Sequence, residues 1–365
     1  MTKVFHLIPT LEGGGAERQL SMLSAEQARR GWNVHVGVRR GGAYEESLRA
    51  SGVVVHLLGD HRGVNPLLLA SINTLIKKIK PDVVHTWLPQ MDIVGGIAAF
   101  WNSVPWVISE RTSGLAYQCL KYGAWMRNYL ARYASAVVAN SSSGAAYWRK
   151  MWPADPRVFQ IANAVDVAGI RNAVPATRGY SPSSDAAKEI LVVGRLANEK
   201  ALEIIIQAVG LVPESHAIHV SIIGDGPLRE RIAVSIRLAG LDDRIALLPY
   251  RPDWWGLLKT ASALVSMSRF EGHPNVILET MAAGCPLIVS DIPAHSEFLD
   301  EDSAILVPPD NPSVLAAAII SLLADPLSAH QRAQRAATCV DYLTIQSAAD
   351  AFESVYTTVM SGRGR

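Results

Sequence analysis

Twice along this chain of 365 residues, short apolar runs alternate with stretches of helical periodicity, and between the two series the pattern stops. The first series opens with Val4 to Ile8, a glycine-rich turn and a helix from about Ala16 to Arg30. Val34 to Val38 and Val53 to Leu57 read as strands, followed by a helix through Leu67 to Lys78. Asp82 to His85, Trp106 to Ser109 and Ala136 to Ala139 complete a set of buried strand candidates. Strand, helix, strand in this rhythm predicts an α/β fold with a parallel sheet covered on both faces.

From Asn172 to Lys188 the chain turns to Pro, Ser, Thr, Gly and Asp and loses all periodicity, which predicts a linker over 173–188. The rhythm then restarts with Glu189 to Val193, His219 to Ile223, Ala246 to Leu248, Ala263 to Ser266, Leu287 to Ser290 and Ala304 to Val307. The length is too great for one ordinary core, so the expectation is two doubly wound domains, 1–172 and 189–343, with a helix over 344–365. With 49% apolar and 18% charged residues, the chain has the composition of a packed globular protein.

Cys119, Cys285 and Cys339 are odd in number and far apart, which suggests neither a disulfide framework nor a zinc site and fits a reducing compartment. The apolar run before Pro9 is too short for a signal-peptide core, and Val314 to Ala324 is about half a bilayer span. A cytoplasmic protein is expected. The net charge of +1 conceals a division: residues 1–180 carry 20 Lys and Arg against 11 Asp and Glu, and residues 181–365 carry 14 against 22. The first half suits an anionic partner such as a nucleic acid, an anionic membrane face or a phosphate-bearing lipid. Chance sorting of surface charge is the plain alternative.

The richest stretch for chemistry is Phe270-Glu271-Gly272-His273-Pro274-Asn275-Val276-Ile277-Leu278-Glu279. Glycine and proline at 272 and 274 suit a loop whose amides approach a ligand, and Val276 to Ala283 reads as a buried helix. Glu279, about one turn further on, is placed to accept hydrogen bonds from vicinal hydroxyls such as those of a ribose or a sugar ring. An isolated pair of this kind is more simply a loop acid and a helix-surface acid.

Upstream, Gly194-Arg195-Leu196-Ala197-Asn198-Glu199-Lys200 ends a strand and begins a helix. Two cations there form a diphosphate site without a metal, unless they merely pair with Glu199 or Glu203 on the surface. Gly13-Gly14-Gly15-Ala16-Glu17 opens the first helix, where amides favour a phosphate, but Arg18 breaks the dinucleotide spacing. Gly224-Asp225-Gly226-Pro227 likewise lacks the third glycine of an NAD fingerprint. Asn163-Ala164-Val165-Asp166 reads as a turn held by its Asn and Asp side chains.

His85 ends one strand, and Glu110, Arg111 and Thr112 end the next; the plain reading of His85 is a satisfied, partly buried histidine. Tyr117, Tyr122, Trp125, Tyr129, Tyr133, Tyr147, Trp148 and Trp152 are interleaved with Lys121, Arg127, Arg132, Arg149 and Lys150. That mixture suits a membrane interface, while core packing explains some of the rings equally well.

The string from Phe270 to Pro286 resembles the donor-sugar motif of the family-4 retaining glycosyltransferases, the glycosyl transferases group 1, and the resemblance spreads over most of the chain. It implies the GT-B fold, two Rossmann-like domains facing a cleft, with a final helix that crosses back to the first domain. It further implies that Glu271 and the backbone of Gly272, His273, Pro274, Asn275 and Val276 hold the donor sugar, with Glu279 on the ribose. Arg195 and Lys200, beside Gly194, would stabilise the departing nucleoside diphosphate. Ala201 stands where the family usually has glycine.

Gly14, Gly15, Gly226, Tyr250 and Arg251 match loops on the nucleotide side, and His85, Glu110 and Arg111 fall on the acceptor side. Arg111 takes the place of a histidine found in many relatives, which argues against a histidine base there. The expected partners are a nucleotide-sugar donor with UDP favoured, a lipid-linked saccharide of a surface polysaccharide, and peripherally an anionic membrane. No metal, no other cofactor and no nucleic acid are expected. A sugar-nucleotide epimerase and a non-catalytic nucleotide-sugar binder are the alternatives.

Overall fold

The computed structural model describes residues 1–61, 63–111, 121–153, 155, 157–176 and 188–362. The chain forms two compact units, Met1–Ala164 with Leu343–Arg365, and Val165–Tyr342.

Unit 1 contains strands β1 (Lys3–Ile8), β2 (Asn33–Val38), β3 (Val54–Leu57), β4 (Val83–Trp87), β5 (Trp106–Glu110), β6 (Ala136–Ala139) and β7 (Val158–Gln160). They form one parallel sheet in the order β3-β2-β1-β4-β5-β6-β7. Its helices are α1 (Gly15–Arg29), α2 (Glu45–Ala50), α3 (Pro66–Ile79), α4 (Pro89–Trp101), α5 (Lys121–Leu130) and α6 (Ser142–Met151). Strand residues such as Val4, Val36, Val83 and Val138 are buried with α1, and Phe5, Val84 and Ile108 are buried with α3 and α4, so both sheet faces are covered. Asn65 caps α3 by accepting from the Leu67 amide at 2.8 Å, with Pro66 at the first helical position.

Unit 2 begins with α7 (Val167–Arg171) and contains β8 (Lys188–Val193), β9 (Ile218–Ile223), β10 (Ile245–Leu248), β11 (Ala263–Ser266), β12 (Leu287–Ser290) and β13 (Ile305–Val307). Its parallel sheet runs β10-β9-β8-β11-β12-β13. The helices α8 (Leu202–Leu211), α9 (Arg229–Leu238), α10 (Trp254–Leu258), α11 (Asn275–Ala283), α12 (Pro293–Ser296), α13 (Pro312–Ala324) and α14 (Pro326–Thr338) complete it. No single helix among the described residues is long and apolar enough to cross a membrane; the apolar residues of α13, Leu315 and Ile319 among them, pack into the core of unit 2.

The units divide between Ala164 and Val165, upstream of the boundary at 172 read from composition. The reason is α7: Asp166 caps it by accepting from the Gly169 amide at 2.9 Å, Ile170 is buried, and the helix packs on α11. Residues 173–176 also belong with unit 2, since a Cβ at Gly256 would lie 2.3 Å from the Val174 carbonyl oxygen. The rest of the segment read as linker, from 177 to 187, lies outside the described residues.

The last helix, α15 (Ile345–Ser361), belongs to unit 1 and packs on α1. Ala349, Phe352, Val355 and Tyr356 enter the same core as Val4, Ile8 and Leu20. Arg30 reaches Asp350 at 2.5 Å and Glu353 at 3.3 Å, and also pairs with the buried Glu26.

Candidate active site

In an open parallel sheet the ligand crevice lies outside the carboxyl ends of the two strands where the connection order reverses. In unit 2 these strands are β8 and β11. Gly194 follows β8 at φ +152° and Gly224 follows β9 at φ +150°, values that favour glycine. The two loops stay zipped: the Gly194 amide donates to Ile223 O at 3.0 Å and the Leu196 amide to Asp225 O at 3.0 Å. A Cβ at Gly224 would fall 1.9 Å from the Gly194 oxygen, and one at Gly226 would fall 2.4 Å from the Leu196 oxygen. Gly226, expected on the nucleotide side, is therefore required by loop packing. Arg195 is exposed and makes no side-chain hydrogen bond or ion pair among the described residues.

A short 3-10 turn, Asn198–Lys200, carries Lys200, and Ala201 enters α8 in the left-handed region at φ +46°. That conformation costs a residue with a side chain about 1 kcal/mol. The Lys200 ammonium forms an ion pair with Glu271 Oε1, to which Ser268 Oγ also donates at 2.7 Å. One partner follows β8 and the other β11, so the pair bridges the reversal point. Burial pushes the Glu271 carboxyl up, but the Lys200 charge and the hydrogen bonds from Lys200 and Ser268 outweigh it, leaving the group below its ordinary range.

This pair replaces the surface pairing of Lys200 with Glu199 or Glu203 considered from the sequence. Glu203 instead accepts from Arg269 at 2.6 Å, and Arg269 also reaches Asn198 O at 2.9 Å and Asp310 at 2.7 Å. The residue just before Phe270 and Glu271 thus fastens the Lys200 turn to the Glu271 loop. His295, which interacts electrostatically with both Lys200 and Glu271, is buried, with Nδ1 at 2.8 Å from Ser290 O. A pocket lined by Gly194, Arg195, Lys200, Ser266 and Met267 opens at the same end of the sheet.

Pro274 is the cap residue of α11. The Asn275 amide donates to His273 O at 3.0 Å, and His273 is buried edge-on against Phe298 with ring centres 5.1 Å apart. Gly272 and Val276 are half-buried beside them. Glu279 is buried and accepts from the indole nitrogen of Trp255 at 3.0 Å. Tyr250 is exposed, while its amide donates to Asp225 Oδ2 at 3.1 Å. Arg251 makes a two-pronged pair with Asp253 at 2.9 and 2.7 Å. Arg229 ties the ends of β9 and β10 by donating to Gly224 O at 2.9 Å and Leu248 O at 3.2 Å.

Unit 1 has its reversal point between β1 and β4. Gly14 and Gly15 are exposed at the start of α1, but the Glu17 carboxylate folds back over them: a Cβ on Gly14 would meet Glu17 Oε2 at 2.3 Å. Leu88, after β4, sits at φ +71° and ψ 150°, a strained conformation for a branched side chain.

The acceptor-side candidates divide. His85 is fully buried and satisfied at both nitrogens, by Tyr356 OH at 2.6 Å and Ser109 Oγ at 2.8 Å. Burial, with His6 and Arg111 nearby, holds it neutral, well below its ordinary pKa. Glu110 is buried as well, accepting from Arg127 at 2.8 Å and Trp148 at 3.0 Å. Both are interior residues, contrary to the expectation that they face a ligand: in a sheet covered on both sides, a strand end is no more exposed than its middle. Arg111, one residue further on, is half-buried, lies 4.2 Å over the Trp87 ring and donates to Asn163 Oδ1 at 2.6 Å. Asn163, read as a turn residue, thus holds a candidate side chain.

The aromatic segment also divides. Trp148 and Arg127 are buried and Trp152 is half-buried, whereas Trp125, Tyr129 and Tyr133 are exposed, joined by Phe100 and Trp101 of α4. Thr112, Tyr117 and Cys119 lie outside the described residues. Ser268, Arg269, His295, Trp255 and Tyr356 were not singled out from the sequence, and Asn163 only as a turn residue. Only Arg269 and Ser268 carry a signal there, by adjoining the motif at Phe270.

Comparison with known proteins follows the two halves. A family model described as glycosyl transferases group 1 matches residues 187–325, and one described as glycosyltransferase family 4 matches residues 13–168. The UDP-Gal:alpha-D-GlcNAc-diphosphoundecaprenol alpha-1,3-galactosyltransferase of Escherichia coli is 29% identical over 245 residues, 61% of this chain and 61% of that protein. This chain thus aligns with less than two thirds of that relative's length. The lipopolysaccharide core biosynthesis glycosyltransferase LpsD of Rhizobium meliloti is 25% identical over 89% of both chains. Among solved structures, Anabaena HepE in complex with UDP and glucose superposes with a TM-score of 0.85 at 19% identity, covering 98% of this chain and all of that one.

Proposed function

This chain is a GT-B glycosyltransferase of group 1, and on that footing we propose that it moves a hexose or N-acetylhexosamine from a UDP-sugar to a lipid-linked saccharide in surface polysaccharide synthesis. The transfer would proceed with retention at the anomeric carbon and without a metal ion. The observation that carries this reading is the Lys200–Glu271 pair across the reversal point of unit 2, with the exposed Arg195 lining the same pocket. Two cations at one crevice suit a diphosphate, and a carboxylate within reach of the same crevice suits the hydroxyls of a sugar.

In the proposed reaction the bond between the sugar C1 and the β-phosphate oxygen breaks, its electron pair leaving with the nucleoside diphosphate. The acceptor hydroxyl attacks C1 from the same face, and its proton passes to the departing phosphate oxygen. Arg195 and Lys200 stabilise the charge that develops, each worth about 10² to 10³ in rate. The incoming diphosphate competes with Glu271 for Lys200, which releases Glu271 to the sugar alongside Gly272 and His273. Glu279, steadied by Trp255, takes the ribose, and the Tyr250–Arg251 segment lies on the base side. Within unit 1, Gly14 and Gly15 become open to a phosphate only when Glu17 swings away.

Support for the acceptor class comes from the Escherichia coli relative, whose name specifies a saccharide on diphosphoundecaprenol. Support for peripheral membrane contact comes from the exposed rings of Phe100, Trp101, Trp125, Tyr129 and Tyr133 on the basic half of the chain. With that contact the enzyme would work at the cytoplasmic face of the membrane.

The test is a thermal-shift panel of UDP-, GDP- and dTDP-sugars with a chelator present. The expected result is a shift with the UDP series alone; a ligand at about 100 times its dissociation constant adds roughly 2.7 kcal/mol. No shift in a folded preparation overturns the donor assignment. Interconversion of the nucleotide sugar without an acceptor would identify an epimerase instead.

A further inference from the structure

Arg111 follows β5 and, among the described residues, is a cation without a counter-charge. Its Nη1 donates to Asn163 Oδ1 at 2.6 Å and its Nη2 to Ser109 Oγ at 3.2 Å, both neutral acceptors. No carboxylate pairs with it among the described residues. A guanidinium presents five N–H donors in a fixed fork. Here two groups are engaged, and the Nε–H is buried with no acceptor. The fully buried arginine of this unit is treated differently: Arg127 lies between Asp92 at 2.6 Å and Glu110 at 2.8 Å. Burial lowers the Arg111 guanidinium to about 9, and Tyr356 and Glu110 offset this only in part.

The position is built rather than incidental. The guanidinium lies 4.2 Å from the Trp87 ring and 6.0 Å from Phe352. Ser109, which it donates to, is itself bonded to His85, and His85 to Tyr356 of α15. Two strand ends, a loop and a helix therefore fix a fork whose remaining donors are unclaimed. Burying a charge this way is expensive unless a partner arrives, and a ligand anion is such a partner.

We propose that Arg111 is an anion site for the acceptor, its free donors taking the oxygens of a phosphate or diphosphate group that the acceptor carries. The inference rests on the transferase reading above and assigns the acceptor's phosphate to one side chain. Unit 1 supplies a favourable field, since residues 1–164 and 343–365 carry 20 basic against 12 acidic side chains. The same chemistry is offered by a membrane phospholipid headgroup, which the test separates.

The experiment is calorimetric titration of inorganic pyrophosphate into the full chain saturated with UDP, using wild type, Arg111→Lys and Arg111→Gln. Wild type should bind pyrophosphate with at least tenfold higher affinity than Arg111→Gln, with Arg111→Lys between them because an ammonium cannot bind as a fork. UDP affinity should be the same in all three. Equal pyrophosphate binding in wild type and Arg111→Gln, or none in wild type, overturns the proposal. Should Arg111→Gln fail to fold, a tenfold loss in Arg111→Lys supports the site and no loss overturns it.

In parallel, binding to phosphatidylglycerol vesicles should be unchanged by Arg111→Gln. Loss of vesicle binding with pyrophosphate binding intact would move Arg111 to the membrane and overturn the acceptor assignment. Absence of any UDP heat would sink the donor reading separately, while the pyrophosphate comparison between variants still decides this one.

Discussion

Lys200 and Glu271 lie 71 positions apart in sequence, yet their side chains form an ion pair, with Ser268 as a third partner. Two opposing influences act on Glu271: burial is the largest and raises its pKa, while Lys200, with help from Ser268 and His295, brings it below its ordinary range. The sign of the pH dependence follows. In wild type the carboxyl lies below its unfolded value of 4.5, so its stabilisation is present above that pH and is lost as pH falls through the lowered folded value. In Lys200→Met burial is left to dominate, the folded pKa rises above 4.5, and stability should decline as pH rises through it. Thermal melts of both proteins from acid to neutral pH check this; parallel curves would show that the pair does not control Glu271.

The same variant should lose about 10² to 10³ in turnover, as expected for one donor to a developing anion. Turnover with the identified UDP-sugar and its acceptor measures this, and an undiminished kcat removes Lys200 from the leaving-group role.

Glu110→Gln tests the assignment of Glu110 to the interior. Its carboxylate and that of Asp92 flank the buried Arg127, and removing one partner of such a set costs about 3–5 kcal/mol. The urea midpoint should fall while the acceptor KM of the remaining folded enzyme stays within about twofold. A large KM effect without a stability effect would return Glu110 to the acceptor site.

The buried histidines predict acid sensitivity. Burial lowers His6 to about 4 from an unfolded value of 6.5, so the unfolded chain binds the extra proton between those values. Stability present above 6.5 should therefore drain as pH falls toward 4, by up to about 1.4 kcal/mol per pH unit for each such group. His85, also held neutral by burial, acts in the same direction. His6→Gln should flatten the slope in an unfolding series over this range; an unchanged slope would assign the acid loss elsewhere.

Trp125→Ser with Tyr129→Ser should weaken binding to anionic vesicles about tenfold while leaving UDP affinity unchanged. Both rings are exposed and stacked, with centres 5.8 Å apart, so little core packing is lost. Sedimentation with vesicles reads the effect, and unaltered partitioning would remove these rings from membrane contact.

The strands were legible because each buried strand of a two-face-covered sheet is an apolar run, and the interruptions are glycine- and proline-rich. β7 escaped because Val158–Gln160 is a three-residue strand ending in a polar side chain. The boundary escaped because α7 is short and its attachment to α11 is tertiary. Of the site, Glu271, Lys200 and Arg195 stood out by residue type near glycine turns. Their geometry did not, because Lys200 meets Glu271 only once β8 and β11 lie side by side. Local sequence also cannot tell a strand-end His85 or Glu110 that points inward from an Arg111 that remains partly open.

The return of α15 to unit 1 has a consequence for the order of events at the ribosome. Residues 1–164 emerge first, yet the groove over Val4, Ile8 and Leu20 stays unfilled until Phe352 and Tyr356 have been made. The intervening residues of unit 2 are synthesised meanwhile and form a contiguous segment. Vectorial synthesis therefore allows the second unit to close before the first, and His85 acquires its tyrosine partner among the last contacts to form. A nascent chain stalled before residue 343 would expose that apolar groove, a surface for chaperones to hold.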